Sequence, residues 1–138
     1  LDLGIPGRFK SYLAEHKDEG KLVLEMAGGD VEKIEFSMIV EAAEKGDEAA
    51  KKVIEEAGDY LGAKIAFMIN LFNPEVVAVG RGIEKAGDIL FSAIRRSVRR
   101  WAYEESVKIV KILPASLGED SVAVGAAALV MQDFFAKV

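Results

Sequence analysis

The most constraining feature of the sequence is a long apolar stripe that ends abruptly at a proline. From Glu48 to Phe72, apolar residues recur at steps of three and four, which places them on one face of an α-helix. Asp47 is the expected N-cap. Asn73-Pro74 is the expected end, since proline lacks an amide proton and disfavours helical geometry in the residue before it. The expected core residues of this helix are Leu61, Ile65, Met68 and Ile69.

A run of β-branched residues follows the proline at once. Val76–Val79 has no polar alternation, which predicts a strand covered on both faces and packed by the long helix. A helix over about residues 87–103, a strand over residues 107–113 and an Ala-rich helix over residues 121–135 are expected next. The inward positions expected for the first of these helices are Leu90, Ile94, Val98 and Trp101. The alternation predicts an α/β fold built on a parallel βαβ unit, with helices packed on the sheet.

Two parallel strands are too few for a stable sheet. They leave both edges unpaired and cannot cover the helices proposed here. We therefore expect further strands from a part of the protein that precedes this chain, or from a second copy of it. The first residue is Leu1 rather than Met, which favours the former. The unpaired edges and the Ala-rich face also predict a homo-oligomer. We expect residues 1–138 to form a single domain of a longer protein.

The first 46 residues predict short helices. Residues 6–19 suit a helix, residues 22–26 suit either a helical turn or a strand, and Ser37 is the expected N-cap of a helix that ends at Gly46. His16 has charged neighbours on both sides, and we expect its ring to point to water.

Composition excludes several kinds of site. The 138 residues include no Cys and one His, so neither a disulfide framework nor a usual zinc centre is expected, and we assign no metal ligand. No stretch approaches the ~20 apolar residues of a membrane span, and the first residues lack the charged-then-apolar layout expected of a secretion signal. These features predict a cytoplasmic protein without a membrane partner.

Charge is divided between two parts of the chain. Residues 1–60 hold 8 basic and 15 acidic side chains, a net charge of −7, whereas residues 81–111 hold 8 basic and 4 acidic, a net charge of +4. Arg95, Arg96, Arg99 and Arg100 form a basic stripe at helical spacing. A solvated helix face paired with acidic neighbours is the favoured interpretation. Contact with phosphate or nucleic acid is the alternative, which the pI near 5.0 weakens.

Gly80-Arg81-Gly82 follows the first strand directly. Ligands of parallel α/β sheets bind at the carboxyl ends of strands, and glycine there lets a ligand approach the main chain. A strand-to-helix turn without a ligand is the simpler interpretation. Arg81 adds a planar cationic group suited to phosphate or carboxylate, although it could equally form a salt bridge with Glu84.

Several of these stretches together resemble the carboxyl-terminal half of ROK family proteins, a group of bacterial repressors, uncharacterised frames and sugar kinases. The resemblance spans nearly the whole chain. It rests on Leu24-Glu25-Met26-Ala27-Gly28-Gly29-Asp30, Gly46-Asp47-Glu48-Ala49-Ala50, residues 61–82, Gly87-Asp88, Ser116-Leu117-Gly118-Glu119-Asp120 and Gly125-Ala126-Ala127-Ala128. The first of these stretches is similar to one that some ROK repressors carry.

The resemblance implies a two-lobed actin-like, ribonuclease-H-like fold in which this chain is the later part of the second lobe. The family's phosphate loop, catalytic Asp, sugar-binding Glu-x-Gly-His stretch and Cys-rich zinc loop have no counterpart here. We therefore expect no catalytic residue and no kinase activity in this chain alone. Family kinases usually have Gly-Gly-Gly after the strand, against which adenosine lies. Gly80 and Gly82 match that nucleotide loop, whereas Arg81 would crowd or replace the nucleotide.

Two functions follow from this resemblance. The favoured one is the sugar-sensing and dimerisation part of a transcriptional repressor that needs no cofactor and binds DNA only through an upstream helix-turn-helix domain. The alternative is the second lobe of an ATP-dependent sugar kinase, of glucokinase or N-acylhexosamine kinase type, with ATP and Mg in the intact protein. Either would bind a sugar through its other lobe. A third interpretation is a half-lobe whose role is packing and oligomerisation.

Overall fold

The fold consists of two parallel strands with helices around them. A computed structural model describes residues 4–116 and 120–135 of the chain. The order along the chain is α1 (Ile5–Glu15), α2 (Lys21–Met26), α3 (Phe36–Glu44), α4 (Glu48–Phe72), β1 (Val76–Val79), α5 (Gly87–Trp101), α6 (Glu104–Ile109), β2 (Lys111–Pro114) and α7 (Ser121–Phe135). Short 3-10 helices at Val31–Lys33 and Ile83–Ala86 precede α3 and α5. Residues 117–119, part of the Ser116-Leu117-Gly118-Glu119-Asp120 stretch that carries the resemblance, lie outside the described residues.

The sheet confirms the predicted parallel βαβ unit. β1 pairs with β2 in the register Val76 to Lys111 through Val79 to Pro114, and these are the strands of the described residues. The Ala115 amide donates to the Val79 carbonyl at 2.8 Å, which extends the pairing beyond β2. Val79 is buried, whereas Val76 and Ala78 are exposed. The prediction that both faces of β1 are covered is therefore wrong for the described residues, in which the apolar cover lies on one side.

Helix α4 has the predicted bounds because both ends are fixed by local chemistry. The Asp47 carboxylate accepts a hydrogen bond from the Ala50 amide at 3.0 Å, and Asn73 ends the helix with a left-handed φ of 46°. Ile65 and Ile69 are buried as predicted, and Leu61 is half-buried. Met68 is 48% exposed, so its assignment to the core was wrong.

The main partner of α4 is α5, not the strand that the sequence predicted. Gly58 and Gly62 let the two helices approach closely. A Cβ at Gly62 would lie 2.6 Å from the Ser97 Cβ and 2.7 Å from the Ile94 carbonyl oxygen. Ser97 is buried, and its hydroxyl donates to the Asp59 carbonyl at 2.8 Å. This contact positions α5, and with it the loop that leads from β1.

The segment after α5 differs from the prediction. α5 ends at Trp101, whose side chain is 59% exposed rather than inward. Residues 104–109, which include part of the predicted second strand, form α6. Acidic side chains in its first turn complement the helix dipole, and Lys108 pairs with Glu104 at 2.7 Å. These local charges favour helix over the β-propensity of the residues that follow.

Three expectations for the first part of the chain need correction. α1 ends at Glu15, four residues earlier than predicted. The His16 ring does not point freely to water, because it is half-buried and stacked on Tyr12 with ring centroids 4.2 Å apart. Ser37 is the second residue of α3, and Glu35 is its N-cap. The ambiguous residues 22–26 belong to a helix, α2.

Candidate functional site

The loops that follow β1 and β2 meet at the carboxyl edge of the sheet. Gly80 lies against Ala115, the first residue after β2, and a Cβ at Gly80 would lie 2.8 Å from the Ala115 Cβ. This closeness explains the first glycine of the loop without any ligand. The parallel register thus brings the predicted loop to the edge where ligands of such sheets bind.

The next two residues of the loop are left-handed. Arg81 has φ 65° and Gly82 has φ 88°. Glycine adopts this conformation at little cost, whereas an L-residue costs about 1–2 kcal/mol there. A Cβ at Gly82 would meet nothing within 4 Å, so its main chain is open to an approaching molecule. Gly82 therefore has the conformational role expected from the sequence, and Arg81 is held in a conformation that favours glycine.

Arg81 lies on the rim of an open depression of about 310 Å³. The depression is bounded by the loop and by residues from α1 and the start of α3: Ile5, Pro6, Phe36, Arg81, Gly82, Ile83 and Lys85. Arg81 is exposed, and within the described residues it forms no salt bridge, so the alternative of a pair with Glu84 is not realised there. The depression places the exposed Arg81 beside apolar side chains, which suits a ligand that carries an acidic group.

Sequence reasoning missed the contribution of the first helices to this depression. Pro6 and Phe36 lie far from the loop in sequence, and no motif links them to it. It also did not predict that one carboxylate oxygen of Glu84 is buried with no hydrogen-bond partner in the described residues. A buried carboxylate oxygen can accept a hydrogen bond from a hydroxyl or N–H group.

The predicted basic stripe on α5 does not form one continuous anion site. Arg96 pairs with Asp59 at 2.9 Å, and this hydrogen bond, followed by Coulombic attraction, raises the pKa of the guanidinium. The Arg95 guanidinium lies 5.6 Å from the Phe91 ring centre, and that of Arg100 lies 5.2 Å from the Trp101 ring centre. Arg96 thus fits the favoured interpretation of a surface face with acidic neighbours.

Metal-ligating clusters and membrane-spanning helices are both absent from residues 4–116 and 120–135. No group of three or more His, Cys, Asp or Glu side chains there is arranged to hold a metal ion. None of the helices there has the length and hydropathy needed to cross a bilayer.

The comparison with known proteins decides the family. The sequence profile of the ROK family matches residues 16–133. The chain belongs to the ROK family. The resemblance predicted from the sequence is thereby confirmed.

Relatives of this ROK chain include both functional classes of the family. A glucokinase from Thermotoga maritima is 33% identical over 116 residues, 84% of this chain and 36% of the relative. The DNA-binding transcriptional dual regulator NagC from Escherichia coli is 38% identical over 92 residues, 67% of this chain and 22% of the relative. The chain thus spans about a third of the glucokinase and less of the regulator.

The predicted fold is confirmed by solved structures. The crystal structure of a ROK family glucokinase from Streptomyces griseus in complex with glucose and AMPPNP has a TM-score of 0.82 and 32% identity. The match covers 91% of this chain and 40% of that one. The α/β arrangement is therefore part of the actin-like, ribonuclease-H-like fold of the ROK sugar kinases.

Proposed function

We propose that this chain is the carboxyl-terminal, sugar-sensing and dimerisation part of a ROK transcriptional repressor. In this proposal residues 1–138 form one domain, the later part of the second lobe. The other lobe supplies the contacts to the sugar effector, and a domain upstream of Leu1 binds DNA. The intact protein works in the cytoplasm as a homo-oligomer. The relationship to NagC supports this assignment at the level of the family.

The conformation and exposure of Arg81 carry the proposal. Kinases of this family usually have Gly-Gly-Gly at this loop, with adenosine against its main chain, and Gly80 and Gly82 would suit that role. Arg81 instead places a long cationic side chain on the rim of the depression, in a left-handed conformation that glycine would adopt more easily. The loop therefore does not fit a nucleotide in the way a glycine-only loop would. A residue kept at such a cost is a candidate for a functional role.

The second candidate is the second lobe of an ATP-dependent ROK sugar kinase. The extent of the glucokinase matches favours it, since the Streptomyces griseus enzyme aligns with 91% of this chain and the Thermotoga maritima enzyme with 84%. In that case ATP and Mg would bind in the intact protein, with the adenosine near Gly80 and Gly82. The catalytic groups would come from the rest of the protein.

Titration calorimetry of the intact protein with ATP separates the two functions. For a repressor we expect weak binding of ATP by the wild type and stronger binding by Arg81→Gly, because the substitution restores a bare main chain at the loop. Arg99→Ala, which removes an exposed arginine of α5, is the control and should leave ATP binding unchanged. Tight binding of ATP by the wild-type protein would exclude the repressor assignment as argued here and favour the kinase.

A further inference from the structure

A small pocket lies between α5 and the segment that leads from α6 into β2. Its volume is about 160 Å³. We call it the α6 pocket, and it is lined by two arginines and four aliphatic residues: Arg95, Val98, Arg99, Val107, Val110 and Ile112. Val98 and Ile112 are buried, whereas Arg95 is half-buried and Arg99 is exposed. The pocket therefore has an aliphatic interior with cationic side chains at the surface.

The two arginines of the α6 pocket lie one turn apart on α5 without an acidic partner in residues 4–116 and 120–135. The Arg95 guanidinium lies 5.6 Å from the ring centre of the buried Phe91, which positions it without neutralising its charge. Like charges four residues apart on a helix repel each other. An anion bound beside both guanidiniums removes that repulsion, so the pair favours an acidic ligand.

The arginines of α5 fall on two different faces of the helix. Arg96 follows Arg95 directly and is therefore rotated by about 100° around the helix axis. On that second face Arg96 pairs with Asp59 of α4 at 2.9 Å, and the Arg100 guanidinium lies 5.2 Å from the ring centre of Trp101. An acid of the same chain thus serves the second face, whereas the face at the α6 pocket has none in the described part of the chain.

The volume of the α6 pocket limits what can enter it. A water molecule takes up about 30 Å³ in the liquid, so the pocket has room for roughly five heavy atoms. Sites for nucleotides, sugars and other small ligands are usually larger, about 300–1,000 Å³. A short aliphatic side chain is of the right size, and it matches the four aliphatic residues of the lining. The pocket therefore suits one anchoring side chain of a polypeptide.

The distribution of charge favours an acidic partner at this place. Residues 81–111 have a net charge of +4, in a chain whose net charge is −5. An acidic polypeptide is therefore repelled by most of the surface and attracted to this part of it. A nucleic acid would need a longer row of cations for its phosphates. The row stops at the α6 pocket, because Arg96 is already paired and the first turn of α6 is acidic.

We propose that the α6 pocket binds an acidic segment of a partner protein. One aliphatic side chain of that segment enters the pocket beside Val98 and Val107. Carboxylates on either side of it pair with Arg95 and Arg99, whose planar guanidinium groups match a carboxylate in shape. The pocket shares no lining residue with the depression beside Arg81. The proposal therefore holds for a repressor and for a kinase alike.

Fluorescence anisotropy of the intact protein with a labelled peptide tests the site. The probe is Glu-Asp-Leu-Asp-Glu with a fluorophore at its amino end and an amide at its carboxyl end. We expect a Kd between about 10 μM and 1 mM. Replacing the Leu of the peptide with Gly, or its four acids with the corresponding amides, should raise the Kd about tenfold, because each change removes one of the two kinds of contact.

Two pairs of variants separate the pocket from surface charge in general. The measurements use about 0.15 M salt, at which charges more than about 8 Å apart are largely screened. Arg99→Glu should raise the Kd at least about tenfold, whereas Arg100→Glu, the same change on the other face of α5, should raise it less than about twofold. Val107→Phe fills the pocket and should raise the Kd about tenfold. Ile109→Phe, at an exposed position of the same helix, should leave it unchanged.

Three results would overturn the proposal. They are no binding of the peptide by the wild-type protein, equal losses in Arg99→Glu and Arg100→Glu, and competition by a single-stranded oligonucleotide that Arg99→Glu abolishes and Val107→Phe does not. Arg99 and Arg100 are both exposed, so their comparison stands even if Val107→Phe disturbs α6. The site is also separable from the loop after β1. Arg99→Ala should weaken peptide binding without changing ATP binding, and Arg81→Gly should leave peptide binding unchanged.

Discussion

The contact between α4 and α5 and the loop after β1 both depend on glycine, but for opposite physical reasons. At Gly58 and Gly62 there is no room for a Cβ, since one at Gly58 would lie 2.6 Å from the Ala93 Cβ and 2.8 Å from the Leu90 carbonyl oxygen. At Gly82 there is open space, and the requirement is a left-handed φ of 88°. The helix contact is limited by packing, whereas the loop is limited by backbone conformation.

This difference separates stability from function within one βαβ unit. A packed contact resists nearly every change of side chain, because its neighbours include backbone atoms that cannot move independently. An open left-handed turn can accept a side chain at a cost of about 1–2 kcal/mol. Arg81 is such a case, and it places a cationic side chain at the depression while the fold around it stays intact.

The largest expected effect comes from emptying the packed region. Ile65→Ala removes a buried side chain from the core face of α4, which should lower the free energy of unfolding by about 2–5 kcal/mol. Denaturant unfolding measures the change. Met68→Ala is the control on the same helix, and its loss should be well below that of Ile65→Ala because the side chain is 48% exposed. Equal losses in the two variants would contradict the described core.

Overfilling the helix contact should have the next largest effect. Gly62→Ala places a methyl group where the Ser97 Cβ would be 2.6 Å away, so the helices must separate, and we expect a loss of about 1–3 kcal/mol. Gly125→Ala makes the same chemical change in α7, where a Cβ meets nothing within 4 Å. It should instead gain up to about 1 kcal/mol from helix propensity. Thermal or denaturant unfolding that shows the same sign for both would exclude close packing at Gly62.

Sequence reasoning located the ends of α4 and β1 because those ends are set by local chemistry. Asp47 caps through its own carboxylate, and Asn73-Pro74 stops the helix without help from distant residues. Sequence reasoning failed for Met68 and Trp101. Both side chains continue the apolar period of their helix, but no element of the described residues covers them, so they are exposed. Periodicity identifies the direction of a core face, whereas its width depends on what packs there.

The glycines of α4 show what the sequence did not reveal. Gly58 and Gly62 are four residues apart, as are Ala93 and Ser97 on α5, and this pairing of small residues is the signal that could have predicted the close contact. Gly80-Arg81-Gly82 was found because a glycine loop after a strand is a known motif. Its depression could not be predicted, since Pro6 and Phe36 reach it only through tertiary packing.

A smaller loss of stability is expected for a substitution in the loop after β1. Gly82→Ala forces an L-residue into the left-handed region, at a cost of about 1 kcal/mol, but creates no overlap because the space around Gly82 is empty. Denaturant unfolding should therefore show a modest loss without a change in the m-value. A loss as large as that of Ile65→Ala would show that Gly82 is limited by packing, which would remove the distinction between the two regions.

The smallest change in stability is expected for Arg81→Gly, and it should be a gain rather than a loss. Arg81→Gly relieves about 1–2 kcal/mol of left-handed strain, while the added freedom of glycine in the unfolded chain costs about 0.4–1 kcal/mol. The net result should be a gain of between about 0 and 1.6 kcal/mol in the free energy of unfolding. Arg81→Ala removes the guanidinium and keeps the strain, so it should leave stability nearly unchanged.

If the long side chain is what excludes ATP, calorimetry should show stronger binding in both variants. If binding rises only in Arg81→Gly, a Cβ at this position is enough to block the main chain. Unchanged ATP binding in both would show that Arg81 has no part in excluding the nucleotide, and its strained conformation would need another cause.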